Sequence, residues 1–174
     1  SAIHIAVAME TRNKLLPSLL LLSKELKKKV SKFKNIVKIG RTHLQDATPL
    51  TLGQEFSGYN NQVEEGISRI KNSLEEIYFL AQGGTAVGTG INTKKNFDKK
   101  IIKEIKKQSK INFKPAKNKF SALATHDAIV NFSGVLNTLA VSLTKIANDI
   151  RFLGSGPRAG SVSYTHLTLP TKQD

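Results

Sequence analysis

The chain has 174 residues, with 27 Lys+Arg against 13 Asp+Glu, a formal net charge of +14 and no cysteine. This length is enough for one domain with a hydrophobic core, and a hydrophobic fraction of 39% excludes a wholly disordered chain. The lack of cysteine excludes disulfides and thiolate zinc sites. No apolar run approaches the roughly 20 residues of a membrane span, so we expect a soluble intracellular domain without a membrane partner.

The excess positive charge is concentrated in two segments. Residues 24–38 hold seven lysines and one acid, and residues 94–119 hold eleven lysines and two acids. None of these cations is arginine, the residue best suited to bidentate phosphate contacts. Aromatic residues make up only 6% of the chain, which argues against a base-stacking surface. A solvated lysine surface is therefore favoured, nucleic acid is a disfavoured partner, and a non-enzymatic lysine-rich module that binds polyanions stays open as an alternative.

Apolar residues recur at helical spacing over residues 15–37, 52–81 and 129–153, and the last stripe is an unbroken heptad seam. Pro17 interrupts the first stripe, so we expect a kink or a helix start there. A shorter helix is predicted over residues 97–107. The segments 39–49, 83–96 and 109–118 are predicted to be loops, and no segment shows the alternation of a strand. The predicted fold class is all-α, with long antiparallel helices that need partners of similar length, so we expect self-association.

Residues 161–174 differ from the rest of the chain. The heptad pattern ends near Gly160, and the composition becomes rich in threonine. We expect a disordered terminus or a foreign segment that does not belong to the domain.

Four histidines are the candidates for chemistry: His4, His43, His126 and His166. No pair has metal-ligand spacing, so no metal site is predicted. His4 and His126 are expected on helices in packing or surface roles, and His166 lies in the divergent tail. His43 follows Thr42 in a polar loop between helices, and such loops often carry binding residues. An imidazole there can exchange a proton, while the threonine hydroxyl or N–H can hold a carboxylate.

A glycine-rich segment, Gly83-Gly84-Thr85-Ala86-Val87-Gly88-Thr89-Gly90, resembles a phosphate loop at first sight. It lacks the Gly-Lys-Ser/Thr ending of a P-loop and follows no predicted strand. The residues therefore favour a tight connection between helices.

Three long motifs resemble class II fumarase, a member of the aspartase/fumarase superfamily. They are residues 38–58, which contain Gly40-Arg41-Thr42-His43-Leu44-Gln45-Asp46, residues 83–93, read as GGTAVGTGINT, and residues 118–158. The resemblance covers about residues 2–160 and implies the long helices of the superfamily's central bundle. Aspartate ammonia-lyase is the close competitor, and it typically has glutamine at the position of His43.

The resemblance implies reversible hydration of fumarate to L-malate, in the tricarboxylic acid cycle, without metal or organic cofactor. By position, His43 matches the family's active-site histidine, and Thr42 matches its substrate-binding neighbour. The family builds each active site from three subunits of a homotetramer. A cytoplasmic location is implied, or the mitochondrial matrix in a eukaryote.

The departures from the family pattern limit what this chain is expected to do. The upstream substrate motifs and the mobile loop with the serine base are not found, and Ser161 and Ser163 do not match that serine. We therefore expect residues 1–160 to be part of the central helical domain, inactive alone. Aspartate ammonia-lyase or another superfamily lyase remains the alternative activity.

Overall fold

The computed structural model describes residues 1–154. The elements in chain order are α1 (Ala2–Glu10), a π-helical turn (Thr11–Leu15), α2 (Leu16–Lys32), β1 (Val37–Thr42), β2 (Gln45–Thr51), α3 (Leu52–Ile77), β3 (Phe79–Leu80), α4 (Phe97–Ser109), β4 (Lys114–Pro115), α5 (Lys119–Ala124) and α6 (Asp127–Leu153). Helices dominate, so the predicted all-α class is confirmed. Residues 161–174, predicted to be a disordered or foreign segment, lie outside the described residues, and His166 is among them.

The first helical segment changes its winding just before Pro17. The N–H of Leu16 donates to the carbonyl oxygen of Thr11, five residues back, as in a π-helix. Proline has no N–H, and its ring would crowd the carbonyl four residues earlier, that of Asn13, in a regular helix. The wider turn gives that ring more room, and α2 begins at Leu16 with Pro17 in its first turn. The prediction that Pro17 marks a helix start is confirmed.

Helices α2 and α3 pack antiparallel. Near the end of α2, the rings of Phe33 and Phe56 meet edge to face with centroids 5.2 Å apart. Ten residues earlier in α2, the buried Ser23 hydroxyl donates to Asn60 Oδ1 at 3.0 Å. The predicted stripe of α3 faces this contact and supplies much of the core, since Tyr59, Val63, Ile67, Ile70, Leu74 and Ile77 are all buried. Apolar burial of this kind is the main favourable term in folding.

The residues Ser1–Leu139 form one compact unit, and a second unit begins at Ala140. In the first unit, the start of α6 runs antiparallel to α3. Asn131 Nδ2 lies 3.4 Å from Ser73 Oγ, and farther along α6 Leu139 packs on Gly66, where a Cβ atom would lie 2.8 Å from its Cδ1. In the second unit, the described part is the rest of α6 and Gly154.

Several of the predicted element boundaries are wrong. The first stripe is not helical to residue 37, because α2 ends at Lys32 and β1 begins at Val37. Residues 109–118 are not all loop, because they contain β4. Residues 39–49 are not a loop, because they lie in the antiparallel pair β1–β2. The burial of β1 does not follow its hydropathy, because Val37 is 71% exposed while Lys38 is half-buried. The sequence therefore shows no ordinary strand pattern there. Helix α3 also ends at Ile77 and not near residue 81. The chain there pairs with β4, as Lys114 N–H donates to the Tyr78 carbonyl at 2.9 Å.

Helix α6 is long and apolar enough to cross a membrane by length and composition. This result differs from the expectation drawn from the sequence, in which no apolar run approached that length. Only 17% of this apolar window is buried in the structure. The heptad seam of α6 is the pattern of a bundle helix.

Candidate functional site

The motif that contains Thr42 and His43 forms a hairpin fixed between two long helices. At its base, Leu52 N–H donates to the Ile36 carbonyl at 2.8 Å, and Gly53 N–H donates to the Phe33 carbonyl at 3.0 Å. Thr51 ends β2 and begins α3 through a capping box with Gln54, in which each side chain accepts from the other's backbone N–H. The hairpin is thus held at its base by the start of α3 and the end of α2.

Two ion pairs lie along the hairpin, one between β1 and helix α3 and one between the two strands. Lys38 Nζ lies 2.5 Å from Glu55 Oε2 of α3, and both side chains are largely buried. Nearer the tip, Arg41 Nε lies 3.3 Å from Asp46 Oδ1 on the facing strand. An exposed pair of this kind contributes little to stability, about 0–1 kcal/mol. Arg41 and Asp46 are also directly opposite each other in the strand register.

The tip is a two-residue turn formed by His43 and Leu44. Thr42 and Gln45 are its flanking partners, and the φ angles of His43 and Leu44 are 53° and 61°. Positive φ at both central residues is the type I′ geometry, which normally selects Asn-Gly. A non-glycine residue held there costs of the order of 1–3 kcal/mol. Leu44 is also 88% exposed, so neither burial nor backbone preference explains this turn.

The predicted site residues Thr42 and His43 lie side by side at this exposed tip. Within residues 1–154, the His43 ring makes no hydrogen bond or ion pair. The tip therefore presents an exposed imidazole that has no hydrogen-bond or ion-pair partner among the described residues.

The other two described histidines lie elsewhere, at a cavity of about 490 Å³. His4 of α1 and His126, which precedes α6, both line it, together with Glu76, Thr85 and Asp127. The expectation of a helical His126 is wrong, since the residue lies in the short break between α5 and α6. The sequence analysis did not find this cavity, because residues 122 positions apart in the chain give no local signal of proximity.

His4 joins α1 to the end of α3. Its Nδ1 atom lies 3.0 Å from the carbonyl oxygen of Ile77, which assigns the proton to Nδ1 because a carbonyl only accepts. Burial lowers the pKa of His4 below its ordinary value, while the hydrogen bond to Ile77 acts in the opposite direction. The nearby amino group of Ser1 and the ring of His126 lower the pKa further. His4 is thus a packing residue, as predicted.

The glycine-rich segment connects α3 and β3 to α4, as the sequence analysis predicts. Gly83 and Gly88 have φ angles of 94° and 111°, which other residues rarely adopt. A Cβ atom on Gly83 would lie 2.5 Å from the Cβ of Asp98, so α4 approaches this backbone closely. Within the part of the chain that the structure describes, no group of three or more His, Asp or Glu side chains is placed to hold a metal ion.

The sequence profile of a lyase family matches residues 1–172. The mitochondrial fumarate hydratase of Saccharomyces cerevisiae is 60% identical over 173 residues, which cover 99% of this chain and 35% of that protein. The class II fumarate hydratase of Rickettsia bellii is 60% identical over 160 residues, which cover 92% of this chain. The profile match extends beyond Gly160 and the Rickettsia match spans fewer residues, so the foreign origin of residues 161–174 stays a prediction.

Comparison with solved structures finds relatives of the same kind. The crystal structure of a class II fumarase from Schistosoma mansoni superposes with a TM-score of 0.88 at 44% identity, covering 92% of this chain and 36% of that one. The fumarate lyase:delta crystallin of Brucella melitensis bound to cobalt gives a TM-score of 0.80 at 37% identity. This chain therefore spans about a third of the length of the relatives it matches. Because the family profile matches nearly all of its residues, the chain belongs to this lyase family, and its resemblance to class II fumarase is confirmed.

Proposed function

We propose that this chain is part of a class II fumarate hydratase, which adds water reversibly to fumarate to give L-malate. The relatives named fumarate hydratase support this activity. The single observation in the structure that carries it is the strained, exposed turn at His43. Residues 1–160 are then part of the central helical domain of the longer protein.

Each member of the tip has a role in this reaction. In the malate direction, a base removes a proton from C3, the adjacent carboxylate takes up charge, and an acid helps the C2 hydroxyl to leave. The His43 imidazole either exchanges a proton with the substrate or orients the attacking water, and the Thr42 hydroxyl and N–H hold a carboxylate. Neither role needs a metal or an organic cofactor.

The tip by itself does not supply all that the reaction needs. An acid and a base are both required, together with donors for a second carboxylate and for the charge of the intermediate. Within residues 1–154, the cavity histidines His4 and His126 line a separate site and do not complete the tip. The missing groups then come from other segments of the longer protein and from other copies of it, and the 174-residue chain alone is inactive.

Exposed apolar side chains on the long helices support a homotetramer with shared active sites. Leu21 on α2 is 60% exposed and Val130 on α6 is 69% exposed. Isolated exposed leucines are ordinary, but α2 exposes Leu20, Leu21 and Leu22 in succession. Burial against neighbouring copies would remove this surface from water.

The proposed cellular location depends on whether the organism is a bacterium or a eukaryote. Relatives from Saccharomyces cerevisiae and Dictyostelium discoideum are named mitochondrial, whereas the Rickettsia relatives are bacterial. The proposed location is the cytoplasm of a bacterium or the mitochondrial matrix of a eukaryote.

The test uses the full-length protein that contains this chain. Purified enzyme is supplied with fumarate in water and, separately, with fumarate and ammonium, and the products are identified. Malate in both mixtures supports the proposal, whereas aspartate formed only with ammonium would assign the chain to an ammonia-lyase. The 174-residue chain, assayed in parallel, is expected to show only background turnover.

A further inference from the structure

The exposed face of α4 carries a continuous stripe of lysines. Six of them lie on or directly after this helix: Lys99, Lys100, Lys103, Lys106, Lys107 and Lys110. At about 100° per residue, these six positions fall within about 120° of the helix circumference. All six are exposed, and none takes part in a salt bridge within residues 1–154. We call this surface the α4 lysine face.

The acidic residues of α4 lie away from this face. Asp98 is on the buried side, where Lys119 Nζ lies 2.6 Å from its Oδ2 and lowers the pKa of the carboxyl. Glu104 lies at the edge and accepts from the Gln108 side chain at 3.2 Å. The opposite side of the helix is apolar, with Ile102 buried. The helix is therefore anchored by one side and presents uncompensated positive charge on the other.

The other lysine cluster has a different organisation. On α2, Lys28 lies 2.7 Å from Glu25, and Lys27 forms an ion pair with Glu64 of α3. Part of the charge of that surface is thus neutralised locally by ion pairs. The α4 lysine face is distinct because, within residues 1–154, none of its six lysines is joined to an acid by a salt bridge.

We propose that the α4 lysine face is a docking surface for an anionic lipid bilayer. Lysine is a compact point charge on a flexible stem, and mobile lipid phosphates require no fixed fork geometry. Proteins that recognise a DNA sequence favour arginine, and proteins that bind single strands use aromatic side chains for stacking. The α4 lysine face contains no arginine and no aromatic residue. Clusters of four to eight lysines on an amphipathic helix are typical of binding to acidic lipids. This contact is peripheral, needs no spanning helix, and does not depend on the proposed reaction.

The experiment is co-sedimentation of the full-length protein that contains this chain with vesicles. One vesicle population contains phosphatidylglycerol and phosphatidylcholine, and the other contains phosphatidylcholine alone. The test variant is Lys99→Gln/Lys103→Gln/Lys106→Gln. The matched control, Lys24→Gln/Lys27→Gln/Lys28→Gln on α2, removes the same charge from the cluster that contains acids. Circular dichroism checks that both variants remain helical.

Binding to the anionic vesicles only is expected, and it should fall with added salt. Three lysines near the membrane surface are together worth roughly 100-fold in partitioning, so the α4 variant should lose about that factor and the α2 control far less. Equal losses in the two variants would overturn the proposal, because general positive charge would then explain the binding. Binding to duplex DNA that is tighter than binding to the vesicles at equal phosphate concentration would also overturn it.

Discussion

Gly40 lies directly against the backbone of Thr48 across the hairpin. A Cβ atom on Gly40 would lie 2.6 Å from the carbonyl oxygen of Thr48, closer than a carbon and an oxygen can pack. The strand register shifts at this point, because Ile39 pairs with Pro49 while Arg41 pairs with Asp46. Such an irregularity bends and twists the strand. The bulge therefore sets the direction in which the outer half of the hairpin carries Thr42 and His43.

Substituting Gly40→Ala should destabilise the hairpin, because the added methyl group collides with a backbone atom that cannot rotate away. We expect a loss of about 1–3 kcal/mol in the free energy of unfolding, measured by urea denaturation. Gly58→Ala is the matched control, since a Cβ atom at Gly58 meets nothing within 4 Å. In the interior of α3 that change should stabilise by about 0.5–1 kcal/mol. Equal effects of the two substitutions would contradict the close contact.

The substitution His43→Asn in the full-length protein should lower turnover and leave the fold intact. Asparagine tolerates positive φ, so the turn is preserved while the proton-exchanging imidazole is lost. General acid–base groups contribute about 10²–10⁴-fold, and a decrease in kcat of that size is expected. The check is steady-state kinetics with fumarate together with a thermal unfolding curve. Unchanged kcat would remove His43 from the site.

Leu44→Asn tests the strain in the turn. Leucine disfavours the φ of 61° found at this position, whereas asparagine is among the residues that adopt it most readily. Leu44 is almost fully exposed, so little packing is lost. We expect the unfolding free energy to rise by about 0.5–1 kcal/mol. A lower stability in urea unfolding would mean that the leucine side chain contributes through a contact in the assembled protein.

The stability of the fold should decrease as the pH falls, because the half-buried His4 must then take up a proton. Burial lowers the pKa of His4 below 6.5, so the unfolded chain binds this proton first as the pH falls. The free energy of unfolding therefore decreases as the pH falls from about 6.5 toward the lower folded pKa. Ser1, Glu76, His126 and Asp127 line the same cavity as this imidazole.

His4→Gln isolates this contribution. A glutamine amide can still donate to the Ile77 carbonyl, but it does not titrate. Urea unfolding between pH 7.5 and 5 should show a smaller slope of stability against pH in this variant than in the parent chain. Identical slopes would contradict the lowered pKa of His4.

The helices were the part of the fold most open to prediction from the sequence. The stripe over residues 52–81 marks a helix whose buried face matches the observed core, and Pro17 marks the start of α2 because its missing N–H acts locally. Helix α4 was also predicted, and Ile102 is its buried residue. Periodicity predicts such elements because one face of a helix repeats every three or four residues.

The hairpin could not be predicted in the same way. Val37 and Ile39 point outward while Lys38 is covered, which is the reverse of an ordinary half-buried strand. The turn residues His43 and Leu44 are also not those that type I′ geometry favours. The strand pair is determined by backbone pairing and by the helices that hold its base, and neither leaves a hydropathy pattern in the chain.

The order of residues alone determined the long amphipathic helices, the lysine clusters and the motif that contains Thr42 and His43, because each depends on neighbours in the chain. Only the tertiary structure decided that this motif is an exposed, strained hairpin tip, that His4 meets Ile77 beside His126, and that the lysine-bearing side of α4 is the side exposed to solvent. These relationships join residues distant in sequence or depend on which side of an element is buried, and such information exists only once the chain has folded.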